Sequence, residues 1–359
     1  MSGSLAEIWR FNIEGGAFAP AIGDVDNNGI MEIAVGGRNG VLYYLSMDGK
    51  EIWSSKISTG AIRTPVISDM DDDGQLEVLL STFDGSVITL RGTEILWKYT
   101  GFRALVEPPV VDDIDGDGEK EIIAGSKDHT LRALKNGKEI WRVNFGDWVY
   151  MPAIGDIDGD GEKEIIAGSA DKTLRFLKGD KEIAKIIFNG GVWEPILYDL
   201  DNDGTSEVIV ASGDGTLRAF KGTSEIWKKD FVQPVFTPSL GDVNNDGKDE
   251  IVVCVQPNVT YVLDLEGDII AKFTGIAGDR PTIGDIDGDG QNEIIISTFN
   301  GNLAILKLHE GILKQISIQR YPRMTIYKPV IFDINNDGLN EILIGVRGEG
   351  IITLRYIKA

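Results

Sequence analysis

The sequence predicts an all-β fold, a single eight-bladed β-propeller over residues 1–359 with four antiparallel strands per blade. Three observations predict it. A nine-residue pattern, D-x-[DN]-x-[DN]-G-x-x-E, starts at Asp24, Asp69, Asp113, Asp156, Asp199, Asp242, Asp285 and Asp333, in steps of 43 to 48 residues. A proline stands four residues before each copy, at Pro20, Pro65, Pro109, Pro152, Pro195, Pro238, Pro281 and Pro329. A further strand recurs around Ile8, Ile52, Ile95, Ile140, Ile183, Ile226, Ile269 and Ile312. No Pro/Ser-rich or low-complexity tract interrupts the period, so nothing divides the chain into domains.

Residues 152–195 show one unit. Pro152-Ala-Ile-Gly-Asp156 is a short apolar run and reads as a buried inner strand, with Pro first, where no ladder donor is lost. After the acidic loop, Glu164-Ile-Ile-Ala-Gly-Ser169 reads as the second strand. Ala170–Lys172 is a turn, and Thr173–Leu177 alternates apolar and polar, which predicts one covered face and one wet face. Gly179-Asp180 turns the chain into the outer strand, Lys181–Ile187, and Phe188–Trp193 leads to the next proline. Such a unit has two apolar faces and cannot hide them alone. Neighbouring blades hide them, and closing the ring covers the last pair.

The chain opens with an outer strand, residues 5–13, and closes with a third strand, Ile351–Ile357. Inner and outer strands therefore balance only if the N-terminal strand completes the C-terminal blade. That joint clasps the ring and removes free sheet edges.

The formal charge of −22 disfavours nucleic acid and anionic membrane as partners. No apolar run reaches the ~18 residues of a membrane span. One cysteine, Cys254 in IVVCV, excludes an internal disulfide and reads as a small buried hydrophobe. The composition is rich in Ile, Lys and Glu and poor in Gln, as in thermophile proteins. MSGSLAEIWR has no basic n-region and no h-region, although its loops would suit an extracellular or cell-surface setting.

The acidic loops read as oxygen cages for Ca2+, up to eight ions, with side-chain ligands at positions 1, 3, 5 and 9. The sets are Asp24, Asp26, Asn28 and Glu32; Asp69, Asp71, Asp73 and Glu77; Asp113, Asp115, Asp117 and Glu121; and Asp156, Asp158, Asp160 and Glu164. The other four are Asp199, Asp201, Asp203 and Glu207; Asp242, Asn244, Asp246 and Glu250; Asp285, Asp287, Asp289 and Glu293; and Asp333, Asn335, Asp337 and Glu341. Glycine at position 6 allows the chain to reverse. An EF-hand differs, with its glutamate at position 12 and helices on either side. Eight divalent ions would bring the formal charge of −22 to −6. The loops with Asn28, Asn244 and Asn335 have one carboxylate fewer and are expected to bind more weakly. Repetition in every blade points to a structural role for the ions.

Segments such as PAIGDIDGDGEKEIIAGS (152–169) and PTIGDIDGDGQNEIIIST (281–298) resemble the FG-GAP, or VCBS-type, repeat of integrin alpha-subunit propellers. DGTLRAFKGTSEIW (214–227) is similar to the outer half of quinoprotein-type repeats. The resemblance implies calcium loops on one face and partner recognition on the other. Integrin propellers have seven blades and usually Asp at the ninth position, where this chain has eight units and Glu.

The repeats differ most two residues before each inner-strand proline: Phe18, Arg63, Glu107, Tyr150, Trp193, Phe236, Asp279 and Tyr327. These positions should ring the central mouth opposite the loops, with Arg103, Trp148, Arg280, Tyr321 and Arg323 nearby. Phe18, Arg63, Tyr150, Trp193, Phe236 and Tyr327 are the candidate contacts for a protein or glycan partner. Trp9, Trp53, Trp97, Trp141 and Trp227 recur at one strand position and read as packing between blades. His129 and His309 stand in unrelated places, and no nucleophile elbow, P-loop or zincin motif is present. The expectation is a monomeric, non-catalytic scaffold. The runner-up is a lectin or a polysaccharide lyase of the rhamnogalacturonan type.

Overall fold

The computed structural model describes residues 3–322 and 324–358. Thirty-two strands form eight four-stranded antiparallel sheets, and no helix occurs among the described residues. Blades are numbered here from the inner strand nearest the N-terminus. Blade 4, for example, comprises Ala153–Gly155, Glu164–Gly168, Thr173–Lys178 and Lys181–Ile187. Inner strands are three residues long because the proline before them has no N–H and the acidic loop begins directly after.

Blade 8 takes Val330–Phe332, Glu341–Val346 and Gly350–Lys358 from the C-terminus and its outer strand, Gly3–Asn12, from the N-terminus. The joint pairs Gly3 with Lys358 and Asn12 with Gly350. Ile334, Leu343 and Ile351 of blade 8 then pack on Ile33, Val35 and Leu45 of blade 1, which closes the ring.

The apolar clusters lie between blades. Ile157, Ile166, Leu174 and Phe176 of blade 4 meet Val208, Val210 and Phe220 of blade 5, and equivalent clusters recur around the ring. Each fully buried Ile, Leu or Phe contributes roughly 1.5–3 kcal/mol. Second strands such as Glu164–Gly168 are buried throughout, because a neighbouring blade covers each face.

The third strand departs from the alternation read in the sequence. Arg132 is 2% exposed, and Arg175 is largely covered. The guanidiniums of Arg132, Arg175 and Arg218 lie 4.3, 4.0 and 4.1 Å from the rings of Phe102, Phe145 and Phe188, supplied by the preceding blade. Asp128, Asp171 and Asp214 pair with the same arginines. The face expected to be wet is therefore a second packing face.

Outer strands do alternate. Each carries a β-bulge at one equivalent place, where Ile8, Ile52, Leu96, Ile140, Ile183, Ile226, Ile270 or Ile316 is the extra residue. Cys254 is fully buried, and burial pushes its thiol up to about 11. His129 sits exposed in a hairpin at a positive φ of 70°.

Candidate functional site

Strand direction alternates, so the first-to-second and third-to-fourth turns share one face of the disc. The entry to each inner strand and the second-to-third turns share the other. The acidic loops and the residues before each inner proline therefore occupy opposite faces.

Each acidic loop is held curled by its own chain. The position-1 carboxylate accepts from the position-6 glycine N–H in all eight loops, as in Gly161 to Asp156 at 2.9 Å. That glycine has φ between 85° and 91° throughout and nothing near its missing side chain, so it serves conformation and not space. The position-5 side chain accepts from the N–H of position 7. The position-9 glutamate reaches back, and its Oε2 accepts from the N–H of position 2, as in Val25 to Glu32 at 3.0 Å.

At positions 5 and 9 these bonds use one carboxylate oxygen and leave the other, whereas both oxygens of the position-1 carboxylate accept backbone N–H groups in seven loops, as Asp156 does from Gly159 and Gly161. Carboxylate oxygens of Asp24, Asp26 and Glu32 converge within 4.8 Å of one another, as do those of the loops at Asp69, Asp113, Asp156 and Asp199. Glu164 Oε1 and Glu207 Oε1 are buried and accept no hydrogen bond. Their nearest donors are ammonium groups, Lys178 at 3.6 Å and Lys221 at 3.3 Å, and buried oxygens converging in this way fit a cation. Burial and neighbouring aspartates raise the carboxyls of Glu32, Glu164 and Glu250 above the usual range, and burial pushes Glu293 to about 7.

One feature of the loops escaped the sequence reading. The third-strand residue opposite the position-9 glutamate is Arg91, Lys135, Lys178, Lys221, Lys307 or Arg355 in six blades. Each reaches into its loop. Lys178 Nζ lies 2.6 Å from Asp160 and 3.6 Å from Glu164 Oε1, and Lys221 Nζ lies 2.6 Å from both Asp201 and Asp203.

The mouth face holds two aromatic groups and a charged centre. Trp148, Tyr150, Trp193 and Phe236 form an arc with successive ring centroids 5.2, 5.3 and 6.3 Å apart. Trp193 Nε1 donates to the Val235 carbonyl at 2.7 Å, which fixes its plane. On the opposite arc, Phe18 is buried under Tyr327, at 4.6 Å, and under Arg38, whose guanidinium donates to the Tyr327 hydroxyl. Phe18 thus supports the mouth and shows almost no surface to a partner.

Between the arcs, Arg63 pairs with the buried Glu107, and Arg280 stands 3.2 Å from Glu194. Burial raises the Glu107 carboxyl, against the pull of Arg63. Asp279 and Lys328 have exposed side chains at the mouth, with many protein atoms around them. Crowding by protein and the charge of Glu194 push Asp279 up to about 6, and crowding with Arg280 pushes Lys328 down to about 8. Glu194 and Lys328 were missed in the sequence; both occupy the position directly before an inner-strand proline, the one signal that could have found them.

Tyr321 does not join the mouth. It is buried in the apolar cluster that holds Ile344 and Tyr356, within the electrostatic reach of Glu7 and Arg10. Arg103 lies on the mouth face, with its N–H on Asp128 at 3.0 Å. Arg323 lies outside the described residues.

Comparison with known proteins agrees with this architecture. The family model of the FG-GAP-like repeat matches residues 199–253 and 285–344, so the chain carries such repeats. The family model of the lambda-carrageenase beta-propeller domain matches residues 105–191. No curated protein matches the chain in sequence. Among solved structures, Saccharomyces cerevisiae Sqt1 is similar with a TM-score of 0.75 at 12% identity, over 100% of both chains. The Vibrio cholerae biofilm matrix protein Bap1 has a TM-score of 0.69 at 13% identity, over 98% of this chain and 90% of its own. The C-terminal WD40 domain of Sif2 has a TM-score of 0.69 at 16% identity, over 100% of both chains. At such identities the likeness shows the fold alone.

Proposed function

We propose that this propeller is a non-catalytic interaction scaffold that engages a protein or glycan partner at its mouth, with calcium in the first-to-second strand loops as a structural fastening. The observation that carries the reading is the split between faces. The loops repeat one hydrogen-bond scheme eight times, whereas the mouth positions hold six different residue types across the eight blades. A site for one partner requires the second kind of surface. Rigid aromatic anchors beside paired charges suit recognition.

A second reading is favoured by the match of residues 105–191 to a lambda-carrageenase propeller domain and by the Trp148–Phe236 arc. Aromatic faces stack on sugar rings, and the arc includes Trp148 and Tyr150 from the matched segment. In this reading the mouth binds a polysaccharide, with or without cleaving it.

Affinity capture with the purified chain, followed by a glycan array, tests both. Capture of one protein that Trp193→Ala with Tyr150→Ala abolishes supports the scaffold. Binding of a polysaccharide lost in the same variant supports the second reading. A captured partner that survives the double substitution places recognition elsewhere.

A further inference from the structure

The loops fall into two electrostatic classes. Those at Asp69, Asp113, Asp156, Asp199 and Asp285 each have four carboxylates at positions 1, 3, 5 and 9 and one third-strand cation: Arg91, Lys135, Lys178, Lys221 and Lys307 respectively. The loops at Asp24 and Asp242 have three carboxylates, with Asn28 and Asn244 in the fourth place, and no such cation. Strand register puts Ser46 opposite Glu32 and Asp264 opposite Glu250. Asp264 is turned into its own hairpin, where its side chain accepts from the Asp268 N–H. The loop at Asp333 has three carboxylates together with Arg355. The sum over ligand positions and tether is thus −3 in seven loops and −2 in the eighth.

The tethered groups stand where a metal would stand. Lys135, Lys178, Lys221 and Lys307 contact the position-5 carboxylate and the position-9 Oε1 together. Those oxygens are the ones the loop's own hydrogen bonds leave free for the centre. At Glu32, which is 3% exposed, Oε2 is taken by the Val25 N–H, and Oε1 accepts no hydrogen bond among the described residues. At Glu250 the only donor to Oε1 among the described residues is the neutral Asn244 amide.

We infer that the third-strand lysine or arginine is a resident cation standing in for a metal in six loops, and that the loops at Asp24 and Asp242 are the chain's tight calcium sites. This rests on the calcium reading above and deepens it. An ion entering a tethered loop must displace or face a fixed positive charge, whereas in the other two loops no side-chain cation among the described residues reaches the centre. The ranking reverses the one that carboxylate count alone gives for these two loops.

Calcium alone, titrated into the metal-stripped full chain by calorimetry with native mass spectrometry as the counter, tests the inference. Two tight equivalents are expected. Ser46→Lys with Asp264→Lys should remove both while the melting temperature in chelator stays the same or rises. Independently, Lys135→Gln with Lys178→Gln should create two further tight equivalents, each tightened on the order of tenfold or more over its parent loop. Eight equal equivalents, unmoved by either pair of substitutions, overturn the inference and leave the calcium reading standing. No calcium binding overturns both.

Discussion

The indole of Trp227 covers Gly267 of the following blade, and its Nε1 donates to the Leu265 carbonyl at 3.1 Å. A methyl group on Gly267 would come within 3.0 Å of the ring, and the residue holds φ at +87°. Trp97 meets Gly137 in the same way, and across the ring joint Trp9 meets Gly49, with its Nε1 on the Met47 carbonyl at 3.0 Å. Each tryptophan follows an outer-strand bulge, so the bulge aims the indole at the next blade's hairpin.

Gly267→Ala should therefore destabilise the fold by about 1–3 kcal/mol, through both the clash and the backbone conformation. Urea unfolding measures it. An unchanged midpoint would show that the hairpin yields freely.

The ring joint makes a second prediction. Removing residues up to Asn12 strips blade 8 of its outer strand and uncovers Ile351 and Ile352, which pair with Phe11 and Arg10. The melting temperature should fall sharply, and the truncated chain should aggregate through the exposed edge. A truncation that melts like the full chain would sink the closure.

Arg63 and Glu107 allow a cycle of variants. Arg63→Ala leaves the Glu107 carboxyl buried without its partner, which costs about 3–5 kcal/mol for a buried pair broken on one side. Arg63→Ala with Glu107→Gln should recover much of that loss. If the single variant is as stable as the parent, the pair has no structural role, and partner binding is the remaining reason to test.

Acid should loosen the mouth face through Asp84. Its carboxylate accepts from Thr59, Thr82 and Ser58, and these hydrogen bonds outweigh burial and hold its pKa far below the usual range. A depressed folded pKa gives stability that is complete above the unfolded value near 4 and is lost as pH falls below it. Asp128, Asp171 and Asp214 act in the same direction. Asp279 acts oppositely: its folded pKa near 6 lies above the unfolded value, so its contribution falls as pH rises from about 4 to 6. Asp84→Ala should flatten the acid limb of a stability profile, and Asp279→Asn should remove a loss between pH 4 and 6. A profile that neither variant changes would assign the titration to other groups.

Chelator should lower the melting temperature, and calcium should restore it. A native-only site held at one hundred times its Kd adds about 2.7 kcal/mol. Melting curves in chelator and in millimolar calcium settle the sign, and coincident curves would remove the structural role.

Blade number, strand order and the joint were legible because proline, glycine and glutamate recur at fixed offsets for reasons of backbone chemistry. The burial of Arg132 was not, since it depends on Phe102 and Gly101 of the preceding blade. Lys178 lies just past the alternating run Thr173–Leu177 read in the sequence; its role follows from register, which puts it opposite Glu164. The mouth was half legible. The position two before the proline located Arg63, Glu107, Tyr150 and Trp193, but that Arg63 pairs with a residue from the next blade is a fact of three dimensions.

The eight outer bulges set how this disc can meet others of its kind. A regular edge strand is a template for lateral growth, and a ring of eight such edges would be a hub for fibrils. Here each edge is broken at one height by an extra residue, Ile52 in blade 1 and Ile140 in blade 3 among them. Backbone pairing rim to rim is thereby denied around the circumference. Contacts at the rim are left to side chains such as the exposed Ile52 and Ile140 rather than to strand addition.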